Sequence, residues 1–168
     1  MEKIKWGIIG PGNIANNFAD GLKGSYSGQL VSIASKSEDR RKNFGDKYDI
    51  HPDFRFDSYE DIINSEHIDA IYISTPHTLH AEWTIKAAGK GKHILCEKPG
   101  AINFNEGKKI IDAVREAGVF YMEGFMYRCH PQIPKLVDII KNKIIGDVIS
   151  VETSFGFDMG KTIPDHRL

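Results

Sequence analysis

The chain has only two cysteines, Cys96 and Cys129, which is too few for a disulfide framework. Their spacing is not that of metal ligands, so the sequence predicts reduced thiols and no metal site. It also lacks a charge imbalance, since 22 basic side chains are matched by 23 acidic ones. Without a broad field of either sign nothing attracts nucleic acid or an anionic membrane, and we expect neither as a partner.

Long hydrophobic runs are missing as well. No run approaches the roughly 18 apolar residues of a membrane span, and the N-terminus has no apolar signal core. These absences predict a cytoplasmic protein. The 168 residues, 40% hydrophobic and 27% charged, are typical of a globular protein with one good core and a piece of a second domain.

The stretch 4–22 contains the clearest motif. An apolar strand leads into Gly10-Pro11-Gly12-Asn13-Ile14-Ala15 and then into a helix, the order of a dinucleotide-binding turn. Gly10 permits the tight turn, and Gly12 lets the backbone approach a pyrophosphate. The phosphates would lie on the free N–H groups at the helix start. An ordinary glycine turn is the alternative.

A second predicted strand, 29–35, ends where a nicotinamide-dinucleotide enzyme reads the adenosine ribose. An NAD-specific site has an acid there, which accepts hydrogen bonds from the 2′-hydroxyl. This chain instead has Ser35, Lys36 and Ser37, followed by Arg40 and Arg41. Hydroxyls and cations favour a 2′-phosphate, so the sequence predicts NADP, with NAD less suited. The alternative is a solvated helix start with incidental charges.

Two more predicted strands, 69–74 and 93–96, also end in polar loops. The first loop, 75–80, contains His77 and His80, and the second is Glu97-Lys98-Pro99. Ligands of open α/β sheets bind outside the carboxyl ends of strands, so these side chains are candidates. The histidines could equally be caps or packing residues, and Glu-Lys-Pro alone could be a surface turn.

Lys98 is the candidate for chemistry. A lysine at the mouth of an apolar strand can be partly desolvated, which would equip it to polarise a carbonyl or move a proton. Glu97 could hold its ammonium group, and Pro99 would stiffen the loop.

The remaining pattern predicts helices over 38–48, 58–64, 80–88 and 103–117, and a last strand of the sheet over 119–122. A helix from Pro131 to Gly146 follows. Residues 148–157 then alternate between apolar and polar side chains, which predicts an antiparallel strand with one wet face. This change of period marks the start of a second domain.

Several of these segments together resemble one family. G-P-G-N-I-A, A-S-K-S, S-T-P-H-T-L-H and L-C-E-K-P-G, in this order, closely resemble the N-terminal half of the Gfo/Idh/MocA oxidoreductases, the glucose-fructose oxidoreductase and inositol dehydrogenase family. The resemblance continues through 123–130 and 146–152. The A-S-K-S variant and the Arg128 segment are most similar to the branch with dihydrodiol and sugar dehydrogenases that use NADP.

The resemblance implies an α/β fold: a Rossmann-type, doubly wound parallel sheet over 1–123, and over 124–168 the first helix and strand of a truncated α+β domain for substrate and oligomerisation. It also implies the roles of the site residues. Lys98 would be catalytic, near the nicotinamide and the substrate oxygen. The cofactor would be bound by Gly10, Gly12, Asn13 and Ile14 at the pyrophosphate, Ser35, Lys36 and Arg40 at the adenosine phosphate, Thr75, Pro76 and His80 beside the nicotinamide half, Glu97 at its ribose, and Arg128 near the crossover.

Family members continue with a large sheet that carries the substrate pocket, whereas this sequence ends at Leu168. The simplest interpretation is a truncated gene. We therefore expect the NADP-binding portion of a dehydrogenase, inactive alone, whose whole form moves hydride between nicotinamide and a sugar, polyol or related hydroxyl or carbonyl compound. A non-catalytic NADP-binding sensor or partner subunit is the main alternative. A methyltransferase is a distant third, because Ser35 and Lys36 replace the acid expected to grip the ribose.

The alternating segment also predicts a homodimer. A lone strand with four large apolar side chains on one face is unstable unless something covers it. We expect the chain from about Val148 to be disordered or to be ordered by pairing with another copy.

Overall fold

The computed structural model describes residues 2–156. Its central feature is one sheet of six parallel strands in the order β3-β2-β1-β4-β5-β6. The strands are β1 (Ile4–Ile9), β2 (Gly28–Ala34), β3 (Arg55–Phe56), β4 (Ala70–Ile73), β5 (His93–Cys96) and β6 (Tyr121–Glu123). The α-helices are α1 (Asn13–Lys23), α2 (Glu38–Lys47), α3 (Tyr59–Asn64), α4 (His80–Ala88), α5 (Phe104–Ala117) and α6 (Gln132–Lys141), and short 3-10 turns lie at Pro52–Phe54, His77–Leu79 and Met126–Cys129.

This order is that of a Rossmann-type sheet, and the predicted fold class is confirmed. The chain divides into two compact units, the first ending at Phe125 and the second beginning at Met126. The whole sheet belongs to the first unit, and α6 belongs to the second.

The sheet has a hydrophobic core on each face because side chains alternate along every strand. On one face Ile8 and Tyr72 pack with residues of α1 and α2. On the other, Ile9 and Ile71 pack with residues of α3, α4 and α5, including Trp83. All four residues of β4 are buried, as expected of a strand covered on both faces in a parallel sheet.

Local sequence signals set the helix ends. Ser58 caps α3 by accepting hydrogen bonds from the backbone N–H groups of Glu60 and Asp61, and Asn103 caps α5 by accepting one from Glu106. Gly118, at φ 64°, ends α5 in the left-handed conformation that glycine adopts without strain. The predicted bounds of these helices are confirmed to within a residue or two.

Four predictions from the sequence were incorrect in detail. Helix α6 ends at Lys141 instead of continuing to Gly146, and the last strand starts at Tyr121. The two-residue strand β3 was missed because so short a strand has no periodicity to detect. No strand forms over 148–156, the described part of the predicted antiparallel strand, and its last residue, 157, lies outside the described residues. An alternating pattern forms a strand only where another strand supplies backbone partners.

Candidate functional site

The turn after β1 needs its first glycine for two reasons. Gly10 has φ 88°, and a Cβ there would lie 3.0 Å from the carbonyl oxygen of Ser74. The Ser74 hydroxyl donates to the carbonyl oxygen of Gly10 at 2.7 Å. The ends of β1 and β4 are thus held so close that no side chain fits between them.

The second glycine leaves open space at the start of α1. Gly12 is the N-cap, has an ordinary extended conformation and has no atom within 4 Å of the place its Cβ would occupy. No side chain caps the helix, and its first turn carries no acid. The first N–H groups of a helix have no partner within it, and the helix dipole adds partial positive charge there. The turn therefore fits a pyrophosphate.

A buried hydroxyl lies beside this turn. Thr75 directly follows Ser74 and is 7% exposed, and its Oγ1 has no hydrogen-bond partner among the described residues. A buried polar atom without a partner costs free energy, so a ligand that hydrogen-bonds it would be favoured.

The cationic side chains in and after the loop that follows β2 differ in whether they are bonded within the protein. Ser35 is buried, its hydroxyl accepts from the N–H of Ser37 at 3.2 Å, and its carbonyl accepts from Nη1 of Arg41 at 2.7 Å. Arg41 is thus used to hold the loop. Lys36 and Arg40 are exposed and accessible to an anion, and Nζ of Lys36 lies 5.7 Å from the centroid of the Tyr59 ring.

A small cavity of about 190 Å³ lies between the glycine turn and α2. Its two cations are Arg40 and Lys47, and Nζ of Lys47 donates to Oδ1 of Asn16 at 2.7 Å. The lining residues are Pro11, Asn16, Arg40, Asn43, Phe44 and Lys47. This cavity places positive charge next to the turn that fits a pyrophosphate.

His80 joins two of the loops at the strand ends. It is fully buried, with Nδ1 2.7 Å from the carbonyl oxygen of Pro99 and Nε2 2.8 Å from that of Thr75. Carbonyl oxygens only accept, and the tautomer of the ring decides which nitrogen donates. Neither nitrogen is open to a ligand in this arrangement. Its predicted place beside the nicotinamide half therefore stays a prediction, and its visible role is to tie the loop after β4 to the loop after β5.

The structure of the loop after β5 differs from the sequence-based prediction in two respects. Glu97 does not hold the ammonium group of Lys98, because the described residues include no ion pair between them. Its Oε1 instead accepts from the phenol of Tyr72 at 2.6 Å. The side chain of Lys98 is exposed, so it is not in the desolvated setting that the sequence suggested. The Lys98–Pro99 peptide bond is cis.

The carboxyl ends of β1, β2, β4 and β5 thus carry most of the predicted site. Arg128 is the exception, because it lies in the second unit, in the turn Met126–Cys129, and its predicted role near the cofactor is untested. Sequence reasoning missed Tyr72, since it is one residue of a buried strand and has the pattern of a core residue. The predicted site residues that lie in the first unit, and whose roles stay predictions, are Gly10, Gly12, Asn13, Ile14, Ser35, Lys36, Arg40, Thr75, Pro76, His80, Glu97 and Lys98.

No helix in the described part of the chain is both long and apolar enough to cross a membrane.

A family model described as an oxidoreductase family with an NAD-binding Rossmann fold matches residues 4–125, which is almost the whole first unit. The chain belongs to the Gfo/Idh/MocA oxidoreductase family. The resemblance seen in the motifs is confirmed.

Relatives and solved structures agree with this assignment. The chain is 33% identical to trans-1,2-dihydrobenzene-1,2-diol dehydrogenase of Xenopus tropicalis, over 94% of this chain and 48% of that protein. It is 32% identical to D-xylose 1-dehydrogenase (NADP(+)) 2 of Haloferax volcanii, over 98% of this chain and 50% of that protein. The structure of KijD10, a 3-ketoreductase from Actinomadura kijaniata in complex with NADP, superimposes with a TM-score of 0.77 at 32% identity, over 86% of this chain and 46% of that one. The chain spans about half the length of these relatives.

Proposed function

We propose that this chain is the NADP-binding part of a dehydrogenase that transfers hydride between nicotinamide and a sugar, polyol or related hydroxyl or carbonyl compound. The observation that carries the proposal is the convergence, at one edge of the sheet, of an open glycine turn, two exposed cations and a lysine. Gly12 leaves space at the helix start, Lys36 and Arg40 follow β2, and Lys98 follows β5. In open α/β sheets this edge is where ligands bind.

Binding of the cofactor would use the backbone of the glycine turn for the pyrophosphate and the loop after β2 for the adenosine phosphate. A 2′-phosphate carries charge that an acid would repel, and none of the residues 35–37 is acidic. The NADP-dependent name of the xylose dehydrogenase and the NADP in the KijD10 crystals support the same choice.

The chemical role would belong to Lys98. Bound NADP(H) would supply or accept the hydride. The ammonium group of Lys98 would hydrogen-bond the substrate oxygen and stabilise the charge that develops on it. The exposure of Lys98 suits a group that meets a substrate, and Glu97 is left to contact the nicotinamide ribose.

The 168 residues alone would bind cofactor without turning over substrate. Hydride transfer needs a near-attack geometry, and orientation supplies roughly 7 to 11 kcal/mol of the barrier in well-aligned reactions. The relatives named above are about twice as long, and we place the walls that orient the substrate in the additional half.

Calorimetric titration of the chain with NADPH and with NADH tests the proposal. We expect tighter binding of NADPH, and a loss of about 2 to 4 kcal/mol for NADPH alone in the double variant Lys36→Ala, Arg40→Ala. Lys42→Ala is the matched control, because position 42 points away from position 40 on the same helix. Equal affinity for the two cofactors, or no loss in the double variant, would refute the NADP assignment.

We also propose that two copies of the chain pair through the segment that starts at Val148. The apolar side chains of Ile149 and Val151 are 98% and 73% exposed. Pairing across a two-fold axis would give their backbone a strand partner and cover the apolar face.

A further inference from the structure

Tyr72 is a polar side chain in an otherwise apolar position. It is the third residue of β4, is 2% exposed, and belongs to the core on the face of α1 and α2. The ring of Phe18, in α1, stacks on it with centroids 4.1 Å apart. Phenylalanine would fill the same space, so packing alone does not account for the hydroxyl.

Among residues 2–156 the hydroxyl has one hydrogen-bond partner, and that partner lies in the candidate site. Oη of Tyr72 donates to Oε1 of Glu97 at 2.6 Å, a distance typical of a hydrogen bond to a charged oxygen. The pKa of Tyr72 is raised by burial first and by Glu97 second. The phenol therefore keeps its proton, and remains a donor, up to a higher pH than an ordinary tyrosine.

Gly124 leaves room for the same carboxylate. Its N–H donates to the carbonyl oxygen of Cys96 at 2.7 Å, and a Cβ on Gly124 would lie 3.0 Å from Oε1 of Glu97. Oε1 thus accepts from the phenol and occupies space that a side chain at position 124 would take. Oε2 of Glu97 has no hydrogen-bond partner in residues 2–156 and is available to a ligand.

We propose that Tyr72 is a positioning residue for the cofactor: it fixes Glu97 by one oxygen so that the other accepts a hydrogen bond from the nicotinamide ribose. The inference rests on the proposed function, in which Glu97 contacts that ribose. A carboxylate on a free side chain loses rotamer freedom when it binds, whereas one already held in place does not. Tyr72 thus strengthens binding without touching the ligand.

The test compares two ligands that differ in the nicotinamide ribose. NADPH contains it, and adenosine 2′,5′-bisphosphate carries the adenosine and the 2′-phosphate but lacks it. In Tyr72→Phe, which keeps the ring and its stacking, we expect the dissociation constant for NADPH to rise about three- to tenfold. The constant for the bisphosphate should not change. Tyr26→Phe, at a side chain that is 96% exposed, is the matched control and should alter neither.

A second variant separates positioning from general loosening of the fold. In the Glu97→Ala background, Tyr72→Phe should cause no more than a small further loss for NADPH, because the side chain that Tyr72 positions is gone. Equal weakening of both ligands by Tyr72→Phe, unchanged NADPH binding, or full additivity of the two substitutions would each overturn the inference while leaving the proposed function standing. Failure of the unaltered chain to bind NADPH would overturn both.

Discussion

Nδ1 of His80 lies 2.7 Å from the carbonyl oxygen of Pro99, so the first residue of α4 is bonded to the loop that carries Lys98. The other ring nitrogen holds the carbonyl oxygen of Thr75. The ring is fully buried, and so is its bond to Thr75, whereas its bond to Pro99 is part-buried. One side chain therefore fixes the relative position of two loops that come from different strands.

Replacing His80 by leucine should destabilise the first unit by about 1 to 3 kcal/mol, because the carbonyl oxygen of Thr75 would lose its buried partner. Urea unfolding followed by the fluorescence of the buried Trp83 measures this. His77→Leu is the control, since His77 is exposed and its replacement should cost less than about 0.5 kcal/mol. Similar unfolding midpoints for the two variants would show that the bonds of His80 contribute little.

The two glycines of the turn should respond oppositely to alanine. Gly10→Ala should lower the free energy of unfolding by about 2 to 4 kcal/mol, because φ 88° is strained for alanine and its Cβ would meet Ser74. Gly12→Ala should cost less than about 1 kcal/mol, because its conformation is extended and the space around it is empty.

Gly12→Ala, which should affect stability little, should affect NADPH binding strongly. The methyl group of Gly12→Ala would occupy space proposed for the pyrophosphate, so calorimetry should show at least about a tenfold loss of NADPH affinity in a variant that stays folded. An unaltered NADPH affinity in Gly12→Ala would remove the turn from the proposed site.

This contrast also shows what the sequence could predict. The glycine turn was predictable because its conformation follows from residues that are neighbours in the chain. The bonds of His80 to Thr75 and Pro99, and of Tyr72 to Glu97, were not, since Tyr72 and Glu97 are 25 positions apart and meet only when β4 and β5 pair. Helix starts with a serine or asparagine cap were predicted well, whereas the end of α6 carried no such signal.

Cys96 should make the protein less stable in alkali. Burial raises the pKa of its thiol from 9.0 to about 12 in the folded chain. Below about pH 9 the thiol keeps its proton in both the folded and the unfolded chain, so the contribution of Cys96 to the free energy of unfolding is fully present. Above it the unfolded chain loses the proton first, so the free energy of unfolding falls as pH rises, by about 1.4 kcal/mol per unit and about 4 kcal/mol in all.

Urea unfolding at several values between about pH 8.5 and 10 measures that slope. Cys96→Ala should flatten it, because the group that titrates is absent, although the variant should be less stable at neutral pH. Cys129→Ser, at an exposed cysteine, serves as the control and should keep the slope of the unaltered chain. Identical slopes in all three proteins would exclude Cys96 as the source.

The segment from Val148 should hold two copies together. Light scattering should show a dimer, and substituting Ile149 and Val151 with serine should yield a monomer, because each large apolar side chain contributes roughly 1.5 to 3 kcal/mol when it is buried. Lys143→Ser, on an exposed polar side chain nearby, should leave the dimer intact. A monomer at all concentrations, with strong amide protection over 149–156, would contradict the pairing.

The position of β1 in the middle of the sheet determines when the nucleotide turn can form. Although β1 is the first strand to be synthesised, it pairs with both β2 and β4. Gly7 of β1 pairs with Ile71 of β4, which lies 64 residues later in the chain. Closing so long a loop is slow compared with forming a helix. Ser74, whose backbone sets the space around Gly10, leaves the ribosome later still. During translation the glycine motif therefore exists as flexible chain long before it can bind a nucleotide, and cofactor can stabilise the domain only after most of the sheet has assembled.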